Sequence, residues 1–354
     1  MIIDKGIQIK NVYYMLTYAF QILKQENYEN IASEEFQNIE DLFTAILSKG
    51  IAQQLKQGLY REYIPKNENL SVIRGKIDIN NTIKNKIQRK QLIFCEYDEL
   101  SENNIFNQIL KTTSLTLMRQ ATVKKKNIIN MKKVMLFFEN VDMIDLSTIK
   151  WNILSYQKNN QNYKMLLNIC YFVIEGLLLS TTKGEYKVAN FLNKEEMHRL
   201  FERFALEYYK FHYPKIKVKS SQITWDIDDG MIDYLPKMET DITLEYKNKT
   251  LIIDTKYYKK SMQSYYEKNT IHSNNLYQIF TYVKNLDVNK DGSVSGMLLY
   301  AKTEEDITPD CNFVMSGNKI SVKTLDLNTE FFEISRTLDN FINIHFGESV
   351  KKKI

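Results

Sequence analysis

The sequence has little of what disulfide-rich domains, zinc ribbons and histidine metal sites require. Its 354 residues include only three cysteines, four histidines and four prolines. Cys95, Cys170 and Cys311 are odd in number, lie far apart and form no CxxC pair, which argues against a disulfide framework or a zinc ribbon. The histidines are scattered, which argues against a histidine-metal site. This cysteine usage fits a reducing compartment, and we expect a cytoplasmic protein.

Several motifs and long apolar runs are missing as well. No GxxxxGK[ST] loop occurs, so the chain is not expected to bind GTP itself. The opening stretch, MIIDKGIQIK, lacks the apolar core of a signal peptide. The most apolar run, MLLNICYFVIEGLLLS, is too short to span a bilayer and contains Asn168 and Glu175. It predicts a buried helix, and we expect no membrane association.

The residues that are present suit a folded protein with two cores. Hydrophobic residues make up 44% of the chain, which is enough to form buried cores. A length of 354 residues exceeds what a single hydrophobic core usually serves. The net charge of +5 permits contact with nucleic acid without requiring it. The polar segment TTKGEYKVANF interrupts a helical pattern and marks a seam near Lys187. We therefore expect two domains, at residues 1–186 and 187–354.

The hydrophobic periodicity differs between these two parts. In the first, helical patterns surround two expected strands, LSVIRGKIDI and QLIFCEYDEL, which the basic stretch NNTIKNKIQRK separates. In the second, a helix in KEEMHRLFERFALEYYKF precedes strands in KIKVK and METDITLEYKNKTLIIDTKYY. A helix in HSNNLYQIFTYVKNL and a strand in GSVSGMLLYA follow. We expect an α+β protein whose C-terminal domain is a mixed sheet flanked by helices.

Charged residues end a strand, TLIIDTKYY, that is apolar enough to be buried. Side chains alternate along a strand, so Asp254 and Lys256 project from one face. If the KNK turn pairs Lys247 with Thr250, Lys256 falls opposite Asp241. Asp241 and Asp254 are then diagonal neighbours about 7 to 8 Å apart at the backbone. A slip of one residue would send Asp241 to the other face.

Two carboxylates on an apolar sheet repel each other, and their burial needs compensation. A divalent cation would offset that repulsion, and Mg²⁺ prefers carboxylate oxygens with retained waters. Such ions commonly act on phosphate esters, and a neighbouring amine can orient water or neutralise developing charge. The pattern favours phosphodiester hydrolysis. The alternatives are an exposed ion pair between Asp254 and Lys256 and a turn-capping role for Asp241.

These residues resemble a known signature. Asp241 followed by DTK at 254–256 is similar to the PD-(D/E)xK nuclease motif, with Thr240 where that motif has a non-ligand proline. Gln278 and Tyr282 match the QxxxY helix motif of one branch of those nucleases. Nearly the whole chain resembles McrC, the nuclease subunit of McrBC-type modification-dependent restriction systems. The similar stretches are NVYYMLTYAF, LSVIRGKIDI, CEYDELSENNIFNQILKTT and METDITLEYKNKTLIIDTKYY.

The resemblance implies two functions in one chain. An N-terminal domain would engage an McrB-like AAA+ GTPase hexamer and stimulate its GTP hydrolysis, so that the partner binds GTP. A C-terminal PD-(D/E)xK domain would cut double-stranded DNA with Mg²⁺. The rival functions are a non-cutting adaptor that activates the GTPase and a nuclease that works without a motor.

The resemblance also implies roles for individual residues. Asp241, Asp254 and the Thr255 carbonyl would hold Mg²⁺, and Lys256 would assist in-line attack of water. Glu202, on the first helix of the domain, is either an additional acidic ligand or a partner of a nearby arginine.

Four further residues are candidates for supporting the site or contacting DNA. Gln278 and Tyr282 share a helix face and either approach the lysine side of the site or the DNA backbone, or form a polar helix edge. Lys217 and Lys219 either bind phosphates or protect an edge strand from aggregation.

Overall fold

The computed structural model describes most of the chain and shows an α+β protein. The described residues are 3–4, 7–19, 36, 38–156, 160–178, 194–257, 262–265, 268–302, 308–347, 350 and 352–353. The expected seam at TTKGEYKVANF lies outside them. None of the helices within these ranges combines the length and the apolar character that a membrane span needs.

Nine α-helices occur in these ranges. They are α1 (Ile9–Ala19), α2 (Ile39–Leu55), α3 (Ile79–Ile87), α4 (Ile105–Met118), α5 (Lys125–Met135), α6 (Gln161–Leu178), α7 (Lys194–His212), α8 (Ser273–Leu286) and α9 (Phe331–Phe346). Helix α6 contains the most apolar run, and its residues Leu166, Ile169 and Val173 are buried. The predicted buried helix is therefore confirmed.

The strands of the described ranges form four sheets. They are β1 (Ile3–Asp4), β2 (Ile7–Gln8), β3 (Glu62–Leu70), β4 (Lys76–Ile77), β5 (Ile93–Ser101), β6 (Lys217–Ile223), β7 (Met238–Tyr246), β8 (Lys249–Lys256), β9 (Met262–Tyr265), β10 (Lys268–Ile271), β11 (Val294–Lys302), β12 (Cys311–Met315) and β13 (Asn318–Asp326). The largest sheet has the order β12-β13-β11-β8-β7-β6, and β1-β2 and β9-β10 are two-stranded. Strand β11 runs parallel to β8 and β13, whereas the other pairs of this sheet are antiparallel, so the expected mixed sheet is confirmed.

The chain divides into two compact units, and one of them is discontinuous. Met1–Leu42 groups with Lys187–Ile354, and Phe43–Tyr186 forms the other unit. This division differs from the expected domain at 1–186 in where that domain starts, because α1 packs on α7. The Tyr18 and Phe204 ring centroids lie 5.6 Å apart, and Arg203 Nε donates to the Ala19 carbonyl at 2.8 Å.

The unit Phe43–Tyr186 has a three-stranded antiparallel sheet of order β3-β5-β4. Of the expected strand LSVIRGKIDI, the first residue ends β3 and only Lys76–Ile77 form β4. The rest of β3 was not predicted, because its sequence EYIPKNENL is mostly polar and its side chains are largely exposed. The basic stretch after β4 forms α3, since the Asp78 side chain caps it by accepting from Asn81 N at 3.1 Å.

Helix α8 covers one face of the six-stranded sheet. Ile279 and Val283 of α8 pack with Ile252 and Leu298 of the central strands. Gly296 on β11 lies beneath this helix, because a Cβ built there would be 2.8 Å from the side chains of both Ile279 and Val283. The close packing of α8 on the sheet therefore requires a residue without a side chain at position 296.

A side chain at position 296 is expected to disturb the packing of α8 on the sheet. Because the contacting groups belong to a buried helix, Gly296→Ala should lower the free energy of unfolding by about 1–3 kcal/mol. Urea denaturation followed by fluorescence measures this change. Ser295→Ala, one residue earlier on the strand and half-buried, is the matched control and should stay within about 0.5 kcal/mol. An equal free energy of unfolding for the two variants would show that α8 can shift to accommodate the methyl group without loss of stability.

Candidate functional site

The β7–β8 hairpin determines which acidic residues meet. Glu245 pairs with Thr250, where the sequence predicted Lys247 as the partner. That prediction is wrong by two residues because the two-residue turn lies one position earlier, at Lys247 and Asn248, with Lys247 at a φ of 51°. The observed pairing ends at Ile242 with Ile253, one residue short of both aspartates. The two aspartates nevertheless interact, because the charge of Asp241 raises the pKa of Asp254.

Asp254 and Lys256 form a buried ion pair at the end of β8. Lys256 Nζ lies 2.7 Å from Asp254 Oδ2, and the side chains are 11% and 1% exposed. The alternative of a solvent-exposed ion pair is therefore wrong. Asp254 Oδ2 is also one of the buried oxygens that have no well-aligned hydrogen bond in the described part of the chain. A buried carboxylate oxygen of this kind suits a further cationic ligand.

The carboxyl group of Asp254 is held under electrostatic strain. Its pKa is raised to about 6, mainly by burial and next by the charge of Asp241, while Lys256 opposes both effects. A raised pKa means that the surroundings disfavour the carboxylate form. One lysine does not fully compensate this site, which leaves room for additional positive charge.

Asp241 links the two strands where their backbone pairing ends. Its Oδ2 accepts hydrogen bonds from Thr255 N at 2.7 Å and from Thr255 Oγ1 at 2.8 Å. The last regular pair before this point is Ile242 with Ile253. Asp241 thus holds the neighbouring strand and does not cap the turn into its own, which excludes the turn-capping alternative.

Helix α7 brings two more groups to this end of the hairpin. The pKa of Glu202 is raised, first by burial and second by the charge of Asp241, so the two acids are close enough to interact. Arg199 acts on Glu202 only as a weaker, opposing influence. His198 Nε2 lies 2.8 Å from the Thr255 carbonyl oxygen. Because a carbonyl only accepts, the Nε2 atom donates, and the backbone between the two site residues of β8 is held in place.

Sequence reasoning missed His198. The four histidines are scattered along the chain, and we considered them only as a joint metal site. One signal was available, since His198 precedes Glu202 by one helical turn and therefore shares its helix face. The contact with Thr255 itself requires the packing of α7 on β8, which the sequence does not reveal.

Helix α8 supplies the partner of the lysine. Lys256 Nζ donates to Gln278 Oε1 at 3.2 Å, and Gln278 Nε2 donates to Tyr282 Oη at 3.0 Å. Gln278 therefore lies on the lysine side of the site and not on a solvated helix edge. Tyr282 is only 8% exposed and packs in the core between α8 and the sheet, so burial argues against the predicted contact with DNA. Its hydroxyl instead orients the Gln278 amide.

The two lysines of the expected edge strand do lie at an edge of the sheet. Lys217 Nζ and Lys219 Nζ are each 2.8 Å from the carboxylate of Glu245. The lysine side chains are 65% and 42% exposed, and β6 is the last strand of its sheet. Exposed ion pairs of this kind contribute little energy, so both lysines are available to phosphates as well as to Glu245. Their contact with DNA stays a prediction.

The acidic groups do not form a ready-made cage. In the ranges that the structure describes, no three His, Cys, Asp or Glu side chains are arranged to hold one metal ion. The role of Glu202 as an additional ligand stays a prediction. The donors that do fit an ion are the two aspartates and the Thr255 carbonyl, whose second lone pair remains beside the His198 bond.

Fold and site together define the class: an α+β protein with two aspartates and a lysine at the adjoining ends of two central strands of a mixed sheet. Within that class, the chain belongs to the family of McrBC 5-methylcytosine restriction system components, whose family model matches residues 3–301.

The chain is also similar to one curated relative and to one solved structure. The chain is 27% identical over 329 residues to the type IV methyl-directed restriction enzyme EcoKMcrBC of Escherichia coli strain K12, with 92% of this chain and 94% of the relative covered. It also resembles a chain from a tetradecameric assembly of Thermococcus gammatolerans McrB AAA+ hexamers with bound McrC. That likeness has a TM-score of 0.55 and 17% identity and covers 95% of this chain and 75% of the other. At this identity it shows a shared fold alone.

Proposed function

We propose that this chain is the DNA-cutting subunit of a GTP-driven, modification-dependent restriction complex. The observation that carries the proposal is the buried pair of Asp254 and Lys256, with Asp241 on the adjoining strand. Burying a charged pair on a sheet is unfavourable unless the site uses it, and perturbed carboxylates cluster at functional sites. The region from Lys187 onwards then acts as a Mg²⁺-dependent endodeoxyribonuclease domain of the PD-(D/E)xK type.

In this proposal, each residue has a defined task. Asp241, Asp254 and the Thr255 carbonyl hold Mg²⁺, which when bound supplies charge neutralisation at the phosphodiester. Lys256 donates to the attacking water or to the developing phosphorane charge, and Gln278 keeps its ammonium group in place through Oε1. Glu202, whose carboxyl group interacts electrostatically with Asp241, is assigned the task of binding the ion directly or through one of its waters.

The unit Phe43–Tyr186 is the proposed contact with an AAA+ GTPase partner. Several of its large apolar side chains are exposed although they lie on regular elements, and such surfaces are typical of protein interfaces. Ile79, Ile83 and Ile87 repeat every fourth residue of α3 and are 67%, 50% and 76% exposed. Two relatives support this assignment: the E. coli protein is a methyl-directed restriction enzyme, and the T. gammatolerans assembly contains McrB AAA+ hexamers with bound McrC.

Reconstitution tests the proposed function. The purified chain, its AAA+ partner, GTP, Mg²⁺ and DNA with methylated cytosines are combined, and cleavage is followed on gels. Cleavage should require the partner and GTP, and EDTA should abolish it while the two proteins still co-elute. The same chain should stimulate GTP hydrolysis by the partner.

Two other outcomes would point to the rival functions. Stimulated GTP hydrolysis without any cleavage at saturating Mg²⁺ or Mn²⁺ would identify a non-cutting adaptor. Cleavage by the purified chain without partner or GTP would identify a nuclease that needs no motor. DNA without methylated cytosine serves as the substrate control.

A further inference from the structure

A cavity of about 730 Å³ lies on the face of the six-stranded sheet that does not carry Asp254. Gly296 points to α8, so its neighbours Ser295 and Met297 point the opposite way, and both line the cavity. Met297 pairs with Ile253, the residue next to Asp254. The cavity is therefore separated from the proposed cleavage site by the sheet itself.

The cavity is lined by several basic side chains. Lys249, Lys319 and Lys323 approach it from two strands, β8 and β13, and His345 of α9 lies among them. The pKa of His345 is lowered to about 4, first by burial and then by the charges of these three lysines. The three ammonium groups are therefore close enough to act on one imidazole, which stays neutral near pH 7 and can donate a hydrogen bond.

Acidic side chains compensate this charge only in part. Lys323 forms an ion pair with Asp310, which is 74% exposed and therefore well screened by water. Asp291 at the rim is already engaged, since its Oδ1 accepts from Ser293 N at 2.9 Å. Lys249 Nζ reaches only the His345 carbonyl, at 3.4 Å, among the contacts within the described ranges. An anion with more than one negative charge would offset the remaining repulsion.

Aromatic and aliphatic side chains also line the cavity. Phe341 and Phe346 of α9 line the cavity together with Met297 and Ile344. Cavities of roughly 300–1,000 Å³ with apolar walls and a few polar groups are typical of small-molecule sites. Lysine ammonium groups bind phosphate, and aromatic rings stack on flat bases. The combination suits a molecule with a phosphate at one end and an aromatic ring system at the other.

We propose that this cavity binds a mononucleotide, with its phosphate between Lys249, Lys319 and His345 and its base against the phenylalanine rings. The inference is independent of the proposed nuclease role, because it uses none of the residues of the cleavage site. A single nucleotide is favoured over a DNA strand because the volume matches one small ligand and the cavity lies on the opposite face from Asp254 and Lys256.

Calorimetry with the full-length chain tests the proposal, with dGMP, dAMP, deoxyguanosine and inorganic phosphate as probes. The monophosphates should bind, deoxyguanosine should bind at least about tenfold more weakly, and inorganic phosphate should compete. Lys319→Gln should weaken binding of dGMP about tenfold or more, since it removes one charged donor. Lys302→Gln, a lysine in an ion pair outside the cavity, is the control and should bind normally.

A second variant distinguishes a loss of ligand binding from a loss of folding. His345→Gln retains a donor at the cavity, so it should keep the thermal midpoint of the chain and reduce dGMP binding less than Lys319→Gln does. The proposal is overturned by equal binding of deoxyguanosine and dGMP, or by the absence of any heat for the monophosphates at about millimolar concentration. Displacement of dGMP by a short single-stranded oligonucleotide with higher affinity would overturn it in favour of a DNA-binding groove.

Discussion

Asp254→Asn is expected to reduce DNA cleavage by the reconstituted complex at least about 100-fold. The substitution preserves the volume of a side chain that is 1% exposed but removes the negative charge beside Asp241 and Lys256. The proposed ion binds through the negative charge, whereas the packing of the sheet depends on the shape of the side chain. Asparagine therefore removes ion binding and preserves the packing. Single-turnover cleavage of a methylated duplex at saturating partner and GTP measures the effect.

The matched control uses a second acid and lysine at strand ends in the same sheet. Lys302 Nζ lies 2.8 Å from Asp326 Oδ2 on β11 and β13, and both side chains are about one-third exposed. Asp326→Asn should cleave within about fivefold of the unmodified chain, because a partly exposed pair contributes roughly 1 kcal/mol or less. GTPase stimulation should be unchanged in both variants. Normal cleavage by Asp254→Asn would remove this carboxylate from the reaction.

Lys256→Met is expected to slow cleavage by roughly 100- to 10,000-fold, the range over which a positioned acid or base contributes. Methionine keeps an unbranched apolar stem but has no ammonium group to direct at water or phosphate. Binding of Mg²⁺ to the chain should be retained, because the lysine is not a ligand and competes with the ion for Asp254. Calorimetric titration with Mg²⁺ and single-turnover kinetics give the two readouts.

The two readouts together assign the lysine a role. Lys302→Met, whose lysine also pairs with an aspartate, serves as the control and should leave both quantities near their original values. If Lys256→Met lost Mg²⁺ binding along with cleavage, the lysine would be a structural support of the acids. If it cut DNA at the normal rate, the proposed contact with water or phosphate would be wrong.

The supporting groups of the site depend on packing that was only partly predictable. The helical spacing of Gln278 and Tyr282 predicted a shared face, and the structure places Gln278 on Lys256. The sequence did not show that Tyr282 is buried, because the burial follows from how closely α8 approaches β11 at Gly296. His198 was missed for the same reason, since its contact with Thr255 exists only once α7 packs on β8.

The hairpin shows how far counting along strands can go. Alternation alone placed Asp254 and Lys256 on one face of β8. Asp241 lies beyond the last regular pair, Ile242 with Ile253, and reaches Thr255 through its side chain. The pairing of individual residues was wrong by two, because the position of the two-residue turn is decided by the backbone conformation at Lys247. The identity of the residues that converge was therefore predictable, whereas their order across the two strands was not.

The sequence by itself determined local properties of this protein: the extended and helical segments from α7 to β11, and that Asp254 and Lys256 share a strand face. These properties follow from the hydrophobic periodicity of the sequence and from the alternation of side chains along a strand. The tertiary structure alone decided that α1 joins the unit containing Lys187–Ile354, that His198 and Gln278 reach the site, and that three lysines surround one cavity. Such contacts join residues far apart in the chain, and their formation depends on the packing of whole helices and strands.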